Sequence, residues 1–170
     1  MTRHRGPVLV DTNAILECWR TKSWGALSGG YAVQTVDECV METQTGYQRR
    51  RPEQQIDERE LRGRLSAVHS VSPLELASAT LRDGTLSRLD VGERTLWAHA
   101  ITRKDAWVLC GPDIASLRLG VRLGLQNQLV ALEALLNDVG HRPKIALKVA
   151  YTIAGHKTTL ATLITSEGRA

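Results

Sequence analysis

Short apolar segments alternate along this chain with segments of helical periodicity, and this alternation constrains the fold most strongly. The first apolar segment, residues 7–10, ends at Asp11, and residues 14–20 then follow a helical spacing. The same order of strand and helix recurs to about residue 138. Strands that alternate with helices predict a mainly parallel sheet with helices on both faces. We therefore expect an α/β protein, a three-layer sandwich with a central mainly parallel sheet.

The pattern predicts the individual elements as follows. Strands are expected at residues 7–10, 31–36, 65–71 and 106–110, with a shorter strand-like segment at 128–131. Helices are expected at 14–20, 37–43, 73–81, 93–102, from 114 to a glycine at 120 or 124, at 132–138 and at 143–154. Residues 1–140 then form the predicted domain, and residues 141–170 a helical extension whose tail beyond Ser166 is expected to be loose.

Composition excludes several other classes of protein. A chain of 170 residues with 42% hydrophobic residues suits one globular domain and not a disordered chain. It has no run of 18 apolar residues, so we expect no membrane span, and only four apolar residues precede Asp11, too few for a signal peptide. The three cysteines lack CxxC spacing, which predicts reduced thiols in a cytoplasmic protein rather than a zinc site.

Positive charge is concentrated in arginine. Of the 22 basic residues 17 are Arg, and the formal net charge is +4. Arginine suits phosphate recognition, and residues 49–64 form a basic segment without a clear apolar face. Its pairs Glu58–Arg62 and Glu60–Arg64 have i,i+4 helical spacing. Two interpretations stay open: an arm that grips nucleic acid, or a solvated helix whose charges pair with one another.

Acidic residues recur where predicted strands end. Asp11 follows the first strand, Glu38 and Glu42 lie on the helix after the second, Glu93 begins a later helix, and Asp113 follows the strand ending at residue 110. The carboxyl ends of parallel strands meet at one edge of a sheet, so four of these acids are expected to converge. Clustered carboxylates repel one another unless a cation lies among them, and oxygen ligands favour Mg²⁺ or Mn²⁺. Each acid alone could instead cap a helix or favour its dipole.

Four segments resemble successive motifs of the PIN-domain nucleases, the fold of the toxin ribonucleases in many bacterial toxin–antitoxin pairs. These segments are VLVDTNAIL, LDVGERTLWAHA, AWVLCGPD with the following IASLRLG, and LVALEALL, and together they extend from Val8 to Leu136. The resemblance makes Asp11, Glu93 and Asp113 the first, third and fourth metal-binding acids. Glu42 matches the second acid better than Glu38 does. One departure is that a Thr or Ser usually stands shortly before the fourth acid, where this chain has Cys-Gly-Pro.

The resemblance implies a Mg²⁺- or Mn²⁺-dependent endoribonuclease. Asp11, Glu42, Glu93 and Asp113 would be catalytic and metal-binding, with Thr12 and Asn13 as substrate-binding residues beside them. The excess of arginine adds Arg49, Arg50 and Arg51, with Arg3 and Arg5, as residues expected to neutralise the flanking phosphates of the substrate. RNA, an antitoxin protein and a second copy of the chain are the partners to expect, with no membrane. The alternative function is a PIN-like module that binds RNA or a protein without cleaving anything.

Overall fold

Four short strands form one parallel sheet at the centre of the computed structural model, which describes residues 3–168. The strands are β1 (Val8–Val10), β2 (Val33–Val36), β3 (Ala67–His69) and β4 (Val108–Cys110). Their order in the sheet is β3-β2-β1-β4, and every neighbouring pair is parallel. β1 is central and entirely buried, as its continuous apolar sequence predicts.

Helices cover both faces of the sheet. Within residues 3–168 they are α1 (Thr12–Arg20), α2 (Trp24–Gly30), α3 (Asp37–Gln44), α4 (Glu58–Arg64), α5 (Pro73–Arg82), α6 (Val91–Ala100), α7 (Ile114–Arg122), α8 (Leu132–Asp138) and α9 (Ile153–Glu167). Val8 and Val10 face a core that includes Ile15 of α1 and Leu135 of α8, whereas Leu9 faces a second core around Trp97 of α6. The protein is therefore a three-layer α/β sandwich, as the sequence predicted.

Two predicted helix starts are confirmed by their caps. The side chain of Asp11 accepts a hydrogen bond from the amide of Ala14 at 2.7 Å and so caps α1. Ser72 and Glu75 form a reciprocal capping box at the start of α5, with Pro73 in the first turn. Short polar side chains before apolar periodic segments were thus reliable signals of a helix start.

The helix predicted at residues 143–154 was wrong. The structure has a single 3₁₀ turn at Val149–Tyr151, and α9 begins only at Ile153, where the side chain of Thr152 accepts the amide of Gly155 at 3.1 Å. An apolar stretch is ambiguous without its cap, and here the helix begins ten residues later than expected, directly after its cap at Thr152. α9 continues through Ser166 to Glu167, and residues 169 and 170 of the predicted loose tail lie outside the described residues.

Three further differences concern short segments. Residues 128–131 do not form a strand but a single parallel bridge between Leu129 and Leu109, preceded by a 3₁₀ turn. Residues 49–64 are not one helix: two 3₁₀ turns precede α4. This segment also has an apolar side, since Ile56 and Leu61 are both fully buried. α2 was not predicted, because its WGALSGG sequence contains three glycines, which disfavour a helix.

The structure also bears on the expected membrane and thiol properties. In the part of the chain that the structure describes, no helix has the length and apolar character needed to cross a membrane. Cys18, Cys39 and Cys110 are all buried and free. Burial raises the pKa of each thiol, so the neutral thiol form is favoured at all three positions.

Candidate metal centre

Asp11 lies at the carboxyl end of the central strand and is 1% exposed. Its Oδ1 atom accepts the amide of Ala14, whereas Oδ2 is buried and has no hydrogen-bond partner among the described residues. Burial raises the pKa of Asp11 to about 7; the charges of Asp113 and Glu42 raise it too, and the Ala14 amide opposes the shift. A buried carboxylate oxygen without a donor is costly, and a cation or a proton is what would satisfy it.

The turn after β4 approaches this carboxylate closely. A Cβ atom at Gly111 would lie 2.8 Å from Cγ of Asp11, closer than side chains tolerate. The glycine therefore allows the backbone between β4 and α7 to pass directly over Asp11. The Cys-Gly-Pro sequence, which departs from the PIN-domain pattern, has a steric reason in this structure.

Glu42 is brought to the same edge from α3. Thr12 Oγ1 donates to its Oε2 atom at 2.6 Å, and the amide of Gly92 donates to Oε1 at 2.9 Å. A Cβ at Gly92 would lie 2.5 Å from Glu42 Oε2, so a side chain at this position would displace the Glu42 carboxylate. The structure thus connects Glu42 to the first turns of α1 and α6. Glu38 lies one turn earlier on α3, and its Oε2 is buried without a hydrogen-bond partner within residues 3–168.

Glu93 and Asp113 complete the group of acids. Glu93 is 8% exposed, and burial raises its pKa to about 8; the charges of Asp113, Asp11, Asp90 and Glu42 contribute to this shift, in decreasing order. Asp113 caps α7 by accepting the amides of Ala115 and Ser116 through Oδ1. The carboxylates of Asp11, Glu42, Glu93 and Asp113 therefore lie near enough to perturb one another.

The oxygen donors at this site fit a hard divalent cation, but the side chains do not yet surround a common position where a cation could bind. Carboxylate and hydroxyl oxygens are the ligands that Mg²⁺ and Mn²⁺ prefer, and Asp11 Oδ2 is directed to no other partner within residues 3–168. Across those same residues no three His, Cys, Asp or Glu side chains already stand in a metal-binding arrangement. Side-chain rotation of Glu93 and Asp113 would have to bring their oxygens to the cation. The hydrogen bonds fix Asp11 and Glu42 more firmly.

The predicted substrate-binding arginines have different environments. Arg49 and Arg51 are exposed beyond the end of α3. Arg50 is half-buried and donates to the backbone carbonyls of Glu42, at 2.6 Å, and Thr43. Its guanidinium therefore caps the end of α3, beside one of the acids.

The rest of the basic segment is largely paired within the protein. Arg62 forms an ion pair with Glu58 at 2.8 Å and Arg64 with Glu60 at 3.8 Å, as their i,i+4 spacing predicted. Arg3, by contrast, precedes β1 and so lies at the opposite edge of the sheet from Asp11, where it stacks over the ring of Tyr31. Arg3 is therefore remote from the carboxylates.

Three residues of this region were not predicted as part of it: Gly92, Gly111 and Tyr151. Gly92 immediately precedes Glu93, and Gly111 stands two residues before Asp113. A glycine so close to a candidate acid was a usable signal that the backbone passes near a carboxylate. Tyr151 gives no such signal. Its hydroxyl donates to the carbonyl of Asn13 at 3.2 Å across 138 residues of sequence.

Comparisons with known proteins add no family assignment. No protein-family model matches the chain, and no significant match was found among curated proteins or solved structures.

Proposed function

We propose that this protein is a metal-dependent nuclease with its centre at Asp11, Glu42, Glu93 and Asp113. The observation that carries the proposal is the buried oxygen of Asp11 at the carboxyl edge of a parallel sheet, near three other acids and without a hydrogen-bond partner within residues 3–168. Ligand sites of open α/β sheets lie at this edge. A structural cap needs one carboxylate oxygen, and Oδ1 of Asp11 serves that purpose, so the cap does not account for Oδ2.

The neighbouring residues have distinct roles in this proposal. Asp11 would hold the cation through Oδ2, and Thr12 with the Gly92 amide would orient Glu42. Glu93 and Asp113 would supply further oxygen ligands, and Asn13 would contact the substrate. When bound, Mg²⁺ or Mn²⁺ lowers the pKa of water and offsets charge on a phosphodiester.

RNA is the substrate that we propose, on the resemblance to PIN-domain ribonucleases. The same resemblance favours a toxin paired with an antitoxin protein, and the free buried cysteines suit a cytoplasmic location. Arg49 and Arg51 would bind phosphates that flank the cleaved bond, since both guanidinium groups are exposed and the segment begins beside Glu42. Arg50 would act mainly by holding the end of α3.

The test is Mn²⁺ binding by titration calorimetry together with cleavage of a mixed RNA pool, with and without EDTA. Wild-type protein should bind Mn²⁺ and cleave RNA only in the absence of EDTA. Asp11→Asn should lose both properties. The matched control is Asp138→Asn, because Asp138 is an exposed acid that accepts a hydrogen bond from Tyr31 at the other edge of the sheet.

Two results would overturn the proposal. Cleavage that Asp11→Asn retains would place the activity elsewhere or in a contaminant. RNA binding without Mn²⁺ binding or cleavage would instead support a non-catalytic RNA-binding module. A parallel DNA pool decides whether the substrate is RNA in particular, and co-purification with the product of a neighbouring reading frame tests the antitoxin.

A further inference from the structure

The segment between α8 and α9 runs along α1 toward the candidate metal centre. We define this segment, residues 141–152, as the C-terminal strap. The carbonyl of Ala146 accepts from Arg20 at 2.7 Å, and the amide of Lys148 donates to Glu17 at 2.8 Å. The third contact joins Tyr151 Oη to the carbonyl of Asn13, at 3.2 Å.

The three contact points on α1 lie on one face of the helix. Positions 13, 17 and 20 have i, i+4, i+7 spacing, so they align along the axis of a helix. As the strap advances from Ala146 to Tyr151, its contacts move backward along α1 from the last turn to the first. The strap therefore runs antiparallel to α1, and its last contact on that helix, Asn13, is two residues from Asp11 in sequence.

Glu17 anchors the middle of the strap. Its carboxylate is 1% exposed and accepts two hydrogen bonds from Arg20, at 2.6 and 2.8 Å, in addition to the amide of Lys148. Burial raises the pKa of Glu17, but the hydrogen bonds from Arg20 and Lys148 outweigh it and hold the pKa below its usual range. Removing the Lys148 amide would leave part of a buried charge unsatisfied, which is why the strap is held firmly at this point.

Tyr151 is held by its ring as well as by its hydroxyl group. The ring packs against the core that contains Val10 and Ile15, and Leu147 of the strap packs there too. Burial, followed by the charge of Asp11, raises the pKa of Tyr151, so its hydroxyl stays protonated and can donate to Asn13. A rigid aromatic side chain thus connects the core to the first turn of α1.

We propose that Tyr151 is a positioning residue of the metal centre. By fixing the carbonyl of Asn13, it holds the first turn of α1 in the conformation in which Ala14 donates to Asp11 Oδ1. Asp11 Oδ2 is thereby kept in its place beside Gly111. The centre is incomplete without the C-terminal strap, and this inference rests on the proposed function.

The first experiment uses Tyr151→Phe, which removes one oxygen and retains the ring. Mn²⁺ affinity is measured by calorimetry, and the exchange rate of the Ala14 amide by hydrogen–deuterium exchange without metal. We expect Mn²⁺ to bind about three- to tenfold more weakly, as suits the loss of one hydrogen bond. The Ala14 amide should exchange faster. Tyr31→Phe is the control, because it removes a hydroxyl that donates to Asp138 at the opposite edge and should change neither quantity.

The second experiment tests the strap without altering Tyr151. Lys148 has φ −64° and ψ 149°, which proline adopts without strain, so Lys148→Pro removes the amide donor to Glu17. Lys148→Ala removes the same side chain but keeps the amide. We expect Lys148→Pro to weaken Mn²⁺ binding and to accelerate exchange at Ala14, and Lys148→Ala to match the wild type in both.

The outcomes separate the two proposals. Mn²⁺ binding by wild type that is unchanged in Tyr151→Phe and Lys148→Pro, with unchanged Ala14 exchange, would overturn the positioning role and leave the nuclease proposal intact. Weaker binding in these two variants, but not in Tyr31→Phe and Lys148→Ala, would support it. Absence of Mn²⁺ binding in the wild type would overturn the proposed function and, with it, the positioning of a metal ligand.

Discussion

At the scale of single residues, the contacts of Asp11 are compatible with both a helix cap and the proposed metal ligand. A carboxylate has two oxygens, and the Ala14 amide donates to Oδ1. The sequence offered capping and metal binding as competing interpretations of this residue. The structure accommodates both, since the cap fixes the side chain and Oδ2 has no hydrogen-bond partner within residues 3–168.

The raised pKa values of Asp11 and Glu93 predict how the stability of metal-free protein depends on pH. Both carboxyl groups bind protons more tightly when folded, with pKa values of about 7 and about 8 against 3.8 and 4.5 for the unperturbed groups. The unfolded chain therefore releases these protons first, and the free energy of unfolding falls as pH rises from about 4 to about 8. Asp11→Asn, which retains the cap, should raise the melting temperature in EDTA most at about pH 8 and change it little only near about pH 4, where the unfolded carboxyl group is also protonated.

The check is a series of thermal melts in EDTA across this pH range. A difference of about 1 kcal/mol corresponds to roughly 2–4 °C for a chain of this size. Asp138→Asn should follow the wild type throughout, because Asp138 is exposed. A melting temperature of Asp11→Asn that stays below that of the wild type at alkaline pH would contradict the predicted linkage.

Gly111 gives a second prediction at this scale. Gly111→Ala would place Cβ 2.8 Å from Asp11 Cγ, and the carboxylate is held in place by the Ala14 amide. The free energy of unfolding should fall by about 1–3 kcal/mol, and Mn²⁺ binding should weaken. Gly63→Ala is the control: it lies in α4 with no atom within 4 Å of the added Cβ and should stabilise the protein by about 0.5–1 kcal/mol. Chemical denaturation measures both, and equal effects would rule out the steric argument.

At the scale of elements, the sequence predicted those helices and strands whose formation depends on neighbouring residues in the chain. The caps at Asp11 and Ser72 and the continuous apolar sequence of β1 predicted α1, α5 and the central strand. The buried side chains Ile56 and Leu61 were missed, because isolated apolar residues in a charged segment have no periodicity. The helix predicted at residues 143–154 was wrong since the strap is held by long-range hydrogen bonds to α1 that no local pattern encodes.

The residues of the candidate site likewise include some that the sequence predicted and one that it could not. Asp11, Glu42 and Asp113 were predicted because each follows a strand or lies on the helix after one, and the topology of a parallel sheet brings such positions together. Glu93 lies on α6, the second helix after β3, and it was matched through the resemblance. The preference for Glu42 over Glu38 came from a resemblance; the contacts of Glu42 with Thr12 and Gly92 give it a physical reason. Tyr151 could not be predicted, because its position depends on the path of the strap.

The segment after α3 yields a prediction that separates substrate binding from stability. Arg49→Gln with Arg51→Gln should leave the melting temperature unchanged, since both side chains are exposed. The slope of log K for RNA against log salt should become shallower by about 1.4, or about 0.7 for each lost phosphate contact with a single strand. Arg50→Gln should do the reverse and mainly destabilise the protein, because it loses the hydrogen bonds to Glu42 and Thr43. A salt slope unchanged in the double variant would show that these arginines do not contact phosphate.

At the scale of the whole molecule, the basic net charge conceals a separation of charge along the fold. The carboxylates are gathered at one edge of the sheet, where burial and mutual repulsion raise the pKa values of Asp11 and Glu93. Many of the arginines, by contrast, pair with acids at the surface, as Arg122 does with Asp83. An overall charge of +4 therefore says little about the potential at the candidate site.

Because of this repulsion, the proposed metal binding should stabilise the whole fold and be detectable by thermal melting. A cation that binds only the folded protein stabilises it by about 2.7 kcal/mol at one hundred times its dissociation constant, so saturating Mn²⁺ should raise the melting temperature by roughly 5–10 °C. Because Mn²⁺ competes with the protons on Asp11 and Glu93, the increase should be larger at about pH 8 than at about pH 6. Differential scanning calorimetry with and without EDTA measures it. Asp138→Asn should retain the increase and Asp11→Asn should lose it; an equal increase in both variants would place the bound cation away from Asp11.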